Sequence, residues 1–130
     1  MVLKGGCNCG SVRYKITDEP IFTSGCHYRD CQRSAGGVFV IHSVVLKEDF
    51  EIKSVTRSTT LPSGSGAGHD PHFCAKCGTY IWCKCHFSSL PTIVVPTARV
   101  DAASRISPQA HVFTTYKQPW LTFSEDTSAF

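Results

Sequence analysis

The sequence of 130 residues contains no apolar run of the about 18 residues that a membrane-spanning helix requires. Its opening segment, Met1-Val2-Leu3-Lys4-Gly5-Gly6-Cys7, has no apolar stretch of signal-peptide length. A cytoplasmic or nuclear chain is therefore expected, with no membrane partner. Basic runs are missing too: 13 Lys and Arg against 10 Asp and Glu leave a formal +3 scattered along the chain. That pattern leaves no electrostatic footprint for nucleic acid. No long stretch sustains a helical period, and no internal repeat is found, so the class expected is mainly β with one or two short helices. The length suits one domain over residues 1–130, able to bury roughly two thirds of its unfolded surface.

What the chain does have is eight cysteines. They form close pairs: Cys7 with Cys9, Cys26 with Cys31, Cys74 with Cys77, and Cys83 with Cys85. In a reducing compartment such pairs serve metal binding or thiol chemistry; the competing account is a disulfide framework in an exported protein. Zinc takes four tetrahedral thiolate or imidazole ligands, and two short clips brought together by the fold supply them. Cys74-Ala75-Lys76-Cys77-Gly78 and Cys7-Asn8-Cys9-Gly10 are such clips, each followed by a glycine free to take positive φ.

Alternation of Val12, Tyr14 and Ile16 with Arg13 and Lys15 predicts a strand directly after the first clip. Further strands are expected at 38–41, 44–46, 50–53 and 93–95, the last ending at Pro96. Short helices are expected near 29–35 and 102–105, and 61–68 reads as a glycine-rich loop. A strand over 80–85 would put Ile81, Cys83 and Cys85 on one face, where the two cysteines serve as core fillers or as ligands. His69 and His72 read as solvated residues beside the loop, Trp120 as an aromatic plug on the sheet, and His42 and His86 as histidines without a nameable partner.

The segments Gly5-Gly6-Cys7-Asn8-Cys9-Gly10, Cys26-His27-Tyr28-Arg29-Asp30-Cys31, His72-Phe73-Cys74-Ala75-Lys76-Cys77-Gly78, Pro108-Gln109-Ala110-His111 and Lys117-Gln118-Pro119-Trp120 together resemble the glutathione-dependent formaldehyde-activating enzymes and the related centromere protein V domains. The resemblance implies a β-tent-like zinc-binding fold in which Cys7, Cys9, Cys74 and Cys77 hold a structural zinc. It also implies a second zinc, with an open position, on a three-cysteine middle motif. Here only Cys26 and Cys31 remain, because Tyr28 occupies the central place. Three states follow: zinc on Cys26, Cys31 and a substitute such as His27, Cys83 or Cys85; zinc bound only with a substrate thiolate; or an empty site.

The implied activity is that of a carbon–sulfur lyase run in the condensing direction, adding glutathione to formaldehyde to give S-hydroxymethylglutathione. Cys26 and Cys31 would be ligands at the catalytic centre, and Tyr28 a proton donor to the alkoxide. Arg13, Arg33 and Arg99 could meet glutathione's carboxylates. His27 reads first as a hydrogen-bonded structural residue. The alternatives are a lyase or isomerase acting on a larger metabolite, and a non-catalytic zinc-stabilised binding module whose second site has decayed.

Overall fold

The computed structural model describes residues 2–62, 68–85 and 89–130, the side chain of Cys85 excepted. The strands are β1 (Leu3–Gly6), β2 (Arg13–Ile16), β3 (Phe22–Cys26), β4 (Val40–Leu46), β5 (Phe50–Ile52), β6 (Arg57–Ser58), β7 (His69–Phe73), β8 (Tyr80–Cys85), β9 (Thr92–Pro96), β10 (Ala110–Val112) and β11 (Ser128–Ala129). The α-helix found among the described residues, α1 (Arg29–Ala35), falls where the sequence placed it. The second expected helix is reduced to a 3-10 turn at Ala103–Arg105. The class is mainly β, the described residues forming two sheets and one short α-helix.

Three strands form the smaller sheet, in the order β1-β2-β5, and eight form the larger, β11-β10-β3-β4-β9-β8-β7-β6. Strand β2 follows the alternation of its sequence: Tyr14 and Ile16 are buried, Arg13 and Lys15 exposed. The core contains Leu3, Val12, Tyr14 and Ile16 from the smaller sheet and its turn, and Val45, Ile81, Ile93 and Val95 from the larger. Fully burying such aliphatic side chains contributes about 1.5–3 kcal/mol each.

Of the run expected at 38–41, only Val40 and Ile41 are strand, and they join 44–46 in β4, which carries His42 and Ser43 through the middle, while Val38 and Phe39 precede it. Ser43 is tolerated in the interior because its Oγ meets Thr23 Oγ1 at 3.0 Å and Thr97 Oγ1 at 2.8 Å. These paired hydroxyls avoid the cost of an unsatisfied buried group. Strand β8 departs from strict alternation. The register against β7 shifts between His72 and Phe73, and both Ile81 and Trp82 pack on the core. Cys83 is buried, as a core filler would be. Residues 63–67 of the expected loop, His86 and the side chain of Cys85 lie outside the described residues.

Two expectations fail. Trp120 is 68% exposed and plugs nothing. His72 lies within β7, stacks on Trp82 at 3.9 Å and bonds Thr56 Oγ1 at 3.1 Å through Nδ1, so it is a packing residue.

Candidate metal centres

The first centre is made by two turns. The turn after β1 closes with Gly10 N–H on Cys7 O at 3.2 Å, and the turn after β7 closes with Gly78 N–H on Cys74 O at 2.9 Å. Both glycines adopt the left-handed conformation, φ 81° and 76°, which costs other residues about 1–2 kcal/mol. Asn8 N–H donates to Thr79 Oγ1 at 3.3 Å and ties one turn to the other. The sulfurs of Cys7, Cys9, Cys74 and Cys77 all lie within 4.8 Å of one another.

Two of these spacings match a tetrahedral thiolate site: Cys7 Sγ to Cys9 Sγ is 3.6 Å and Cys9 Sγ to Cys74 Sγ is 3.8 Å. Metal–sulfur bonds of about 2.3 Å give a tetrahedron an edge of about 3.8 Å. Backbone donors also converge on the sulfurs, with Val12 N–H 3.3 Å from Cys7 Sγ, and Lys76 and Cys77 N–H at 3.4 and 3.5 Å from Cys74 Sγ. Donors aimed at sulfur favour the thiolate. The Thr79 hydroxyl and N–H draw the Cys77 thiol down to about 5. At Cys7 burial pushes upward, and the Val12 N–H and neighbouring groups outweigh it, leaving the thiol at about 7. Four clustered sulfurs, two pairs of them at tetrahedral spacing and two of the thiols lowered toward thiolate, fit a metal ion.

The second centre stands at the junction of β3 and α1. Cys26 ends the strand and is buried, and Cys31 sits in the first turn of the helix, so their sulfurs approach to 3.0 Å. That is closer than a tetrahedral edge and longer than a disulfide. The Cys31 contact, opposed by burial and helped by the Tyr28 N–H, lowers the Cys26 thiol. The helix is held by Gln32, whose Nε2 donates to His27 O at 2.6 Å and to Tyr116 O at 3.1 Å. Its Oε1 accepts from Gln118 Nε2 at 2.8 Å.

A ring nitrogen of His42 completes a three-donor group with Cys26 and Cys31, all within 4.8 Å. Sequence reasoning missed this residue, and the register explains how it arrives. Val40 lies opposite Cys26, and His42 lies two residues further along β4, hence on the same face of the sheet. His42 Nε2 is buried with no hydrogen-bond partner. Burial, with the charge of Arg99 next and then His69, holds the imidazole down at about 4, so it is neutral at physiological pH.

The substitutes expected from sequence take other places. His27 is fully buried and its Nε2 meets His111 Nδ1 at 2.8 Å, as a structural histidine's would. Cys83 belongs to neither group of donors found among the described residues. The Tyr28 ring lies edge-on to Phe113 and Tyr116, with centroids 5.3 and 5.2 Å away.

Arg13, Arg33 and Arg99 come together around one cleft of about 610 Å³, bounded by the Cys7 turn, the last turn of α1, Thr79-Tyr80 and the 3-10 turn at Thr97–Arg99. Arg13 is neutralised there by a two-armed pair with Asp101. Arg99 spends its Nε on Tyr80 O at 2.8 Å, and Arg33 sits 3.8 Å from Asp30. Tyr80 links this cleft to the second centre, since its ring lies edge-on to His42 at 6.3 Å.

Two cysteine-containing groups that could hold metal ions, one of four donors and one of three among the described residues, stand on a two-sheet β-scaffold beside a cleft lined by Arg13, Arg33 and Arg99. The chain belongs to the family described as glutathione-dependent formaldehyde-activating enzyme, whose sequence profile matches residues 2–116. It is 25% identical over 87 residues to a Halomonas elongata protein provisionally named a glutathione-dependent formaldehyde-activating enzyme. The match covers 63% of this chain and 55% of that relative, so the chain spans little more than half the relative's length. A crystal structure of a Rhodobacter sphaeroides protein shares the fold, with a TM-score of 0.59 at 20% identity, covering 81% of this chain and 91% of that one. Among the described residues, no helix is long and apolar enough to cross a membrane.

Proposed function

We propose that the chain is a zinc-dependent carbon–sulfur lyase-type enzyme that adds a thiol such as glutathione to a small aldehyde. The observation that carries this reading is the unequal completeness of the two centres. Structural zinc sites are closed by four protein ligands, whereas catalytic ones keep a position open. Cys7, Cys9, Cys74 and Cys77 have the full set and hold the structural ion. Cys26 and Cys31 belong to the incomplete group, where a bound zinc would lower the pKa of a substrate thiol and polarise a carbonyl.

The chain's own residues then have separable tasks. Cys26 and Cys31 are ligands and not nucleophiles. Arg33 and Arg99 receive the carboxylates of the thiol substrate in the cleft, held one side chain from the second centre through Tyr80. The thiol releases its proton to solvent, its sulfur attacks the aldehyde carbon, a carbon–sulfur bond forms as the carbonyl π bond opens, and Tyr28 gives its phenolic proton to the alkoxide and regains one from solvent. The product is a hydroxymethyl thioether. Exchange between 13C-formaldehyde and its glutathione adduct, followed by NMR, should run faster with the protein than without it. An unchanged exchange rate with both centres loaded sinks the reading. Replacing Tyr28 with Phe should slow turnover, and unchanged turnover would remove Tyr28 from the mechanism.

A second reading is a bulkier electrophile, favoured by the aromatic group beside Cys26, where Phe113 is 53% and Tyr116 45% exposed next to Tyr28. Faster turnover of an aromatic aldehyde than of formaldehyde would select it. One zinc per chain, with and without glutathione, would select the non-catalytic binding module.

A further inference from the structure

We propose that His42 is the third protein ligand of the second metal centre, converting it from a thiolate-only site into a neutral Cys2His centre. The inference takes Cys26 and Cys31 as metal ligands from the reading above, and does not depend on the reaction assigned there. Three observations carry it, and each concerns position.

His42 shares a sheet face with Cys26 because Val40 is the residue opposite Cys26 in the β3–β4 register. Cys31 is brought to the same spot by the first turn of α1, which the Gln32 hydrogen bonds fix against the backbone at His27 and Tyr116. The three donor atoms consequently lie within 4.8 Å of one another, although they come from a strand end, a helix and a second strand. Lastly, His42 Nε2 is buried without a hydrogen-bond partner, an arrangement that destabilises the fold unless something binds there. A divalent cation bound at Nε2 would meet that deficit. Imidazole nitrogen and thiolate are both among the ligands that zinc accepts.

The exchange of ligand type alters the charge of the centre. A divalent ion with three thiolates carries −1, whereas with Cys26, Cys31 and a neutral His42 it carries zero. A neutral centre repels an incoming thiolate less, and Arg99 adds positive potential from the cleft side. The centre is thus suited to an anionic sulfur ligand in its fourth position. Where Tyr28 removes a thiolate, His42 restores the ligand count, not the charge.

Cobalt(II) reconstitution of the whole chain under reducing, oxygen-free conditions tests this without reference to turnover. Wild type should take up two cobalt ions per chain, the second with sulfur-to-cobalt charge-transfer absorption from two thiolates. His42→Gln should keep the first ion and its spectrum while weakening the second by more than the roughly 10–100-fold that loss of an outer hydrogen-bond partner costs. His42→Cys should keep both ions and raise the charge-transfer absorption of the second by about half, as two thiolates become three. The retained spectrum of the four-sulfur centre reports folding in each variant. If His42→Gln failed to fold, His42→Cys alone would still decide the matter.

The proposal is overturned if His42→Gln binds the second ion with unchanged affinity and spectrum, or if His42→Cys leaves the second spectrum unaltered. It is also overturned if wild type takes up one ion, with Cys26 and Cys31 recovered as free thiols or as a disulfide. Two cobalt ions with the expected His42 dependence, but no acceleration of aldehyde exchange, would leave this inference standing and remove the proposed reaction.

Discussion

The two cysteine centres solve the same assembly problem by opposite means. The first takes all four sulfurs from two tight turns and spaces two of its pairs at 3.6 and 3.8 Å, close to the edge that a tetrahedral ion imposes. Its members Cys9 and Cys77 are exposed. The second takes one sulfur from a strand end and one from a helix, lets them close to 3.0 Å, and finds its third donor on a neighbouring strand. On the reading proposed above, the evenly spaced centre is the one that holds the structural ion, and the closer Cys26–Cys31 pair belongs to the centre that does the chemistry.

The largest expected effect separates the two directly. Replacing Cys74 with Ser, or stripping the first ion with a strong chelator, should unfold the chain, because closed thiolate sites contribute on the order of 10 kcal/mol in small zinc domains. Circular dichroism against chelator concentration reads this, and a native spectrum after complete metal removal breaks the comparison. Cys31→Ser should do the converse, abolishing aldehyde–thiol exchange and the second ion while the melting temperature moves little. A similar collapse in both variants would mean that neither centre is specialised.

Gln32→Ala should cost about 2–3 kcal/mol, since it strips partners from His27 O and Tyr116 O and leaves the helix bearing Cys31 unanchored. Urea denaturation measures the loss, and cobalt titration should show the second ion weakened and the first unaffected. Gly78→Ala should cost about 1–2 kcal/mol through the left-handed position it occupies. Its metal effect should fall on the first centre only. A Gly78→Ala variant that loosened the second ion would show the two centres to be coupled.

The smallest effect is a pH dependence. Burial lowers both His27 and His111 below the ordinary histidine value. The unfolded chain therefore binds more protons than the folded one as pH falls through about 6.5, so stability is present above that pH and declines below it. Replacing His111 with Gln should make the melting temperature less dependent on pH between about 7 and 5. An unchanged slope would assign the acid sensitivity to groups other than His111, the lowered histidines His27, His42 and His72 among them.

The legibility of the two centres differed for the same reason that their construction differs. Cys7-Asn8-Cys9-Gly10 and Cys74-Ala75-Lys76-Cys77-Gly78 are local turns, so spacing and the following glycine carry their geometry, and the structure gathers the four sulfurs as the clips suggested. Tyr14, Ile16 and the helix at 29–35 were equally legible from alternation and motif position. His42 was not, because its nearness to Cys26 exists only once β3 and β4 pair in one particular register. Trp82 escaped for a related reason, the register shift opposite His72 having broken the period of two. Arg13, Arg33 and Arg99 were nameable singly, yet their meeting around one cleft is a tertiary fact.

The contact between Cys9 and Cys74 spans 65 residues of chain. During translation at roughly 5–20 residues per second, the opening turn would leave the ribosome about 3–13 s before its partner. Throughout that interval two thiols wait with half a cage. On the reading proposed above, scarcity of the structural ion would act on newborn polypeptides, which the cell's proteases meet first, and not on finished molecules already circulating.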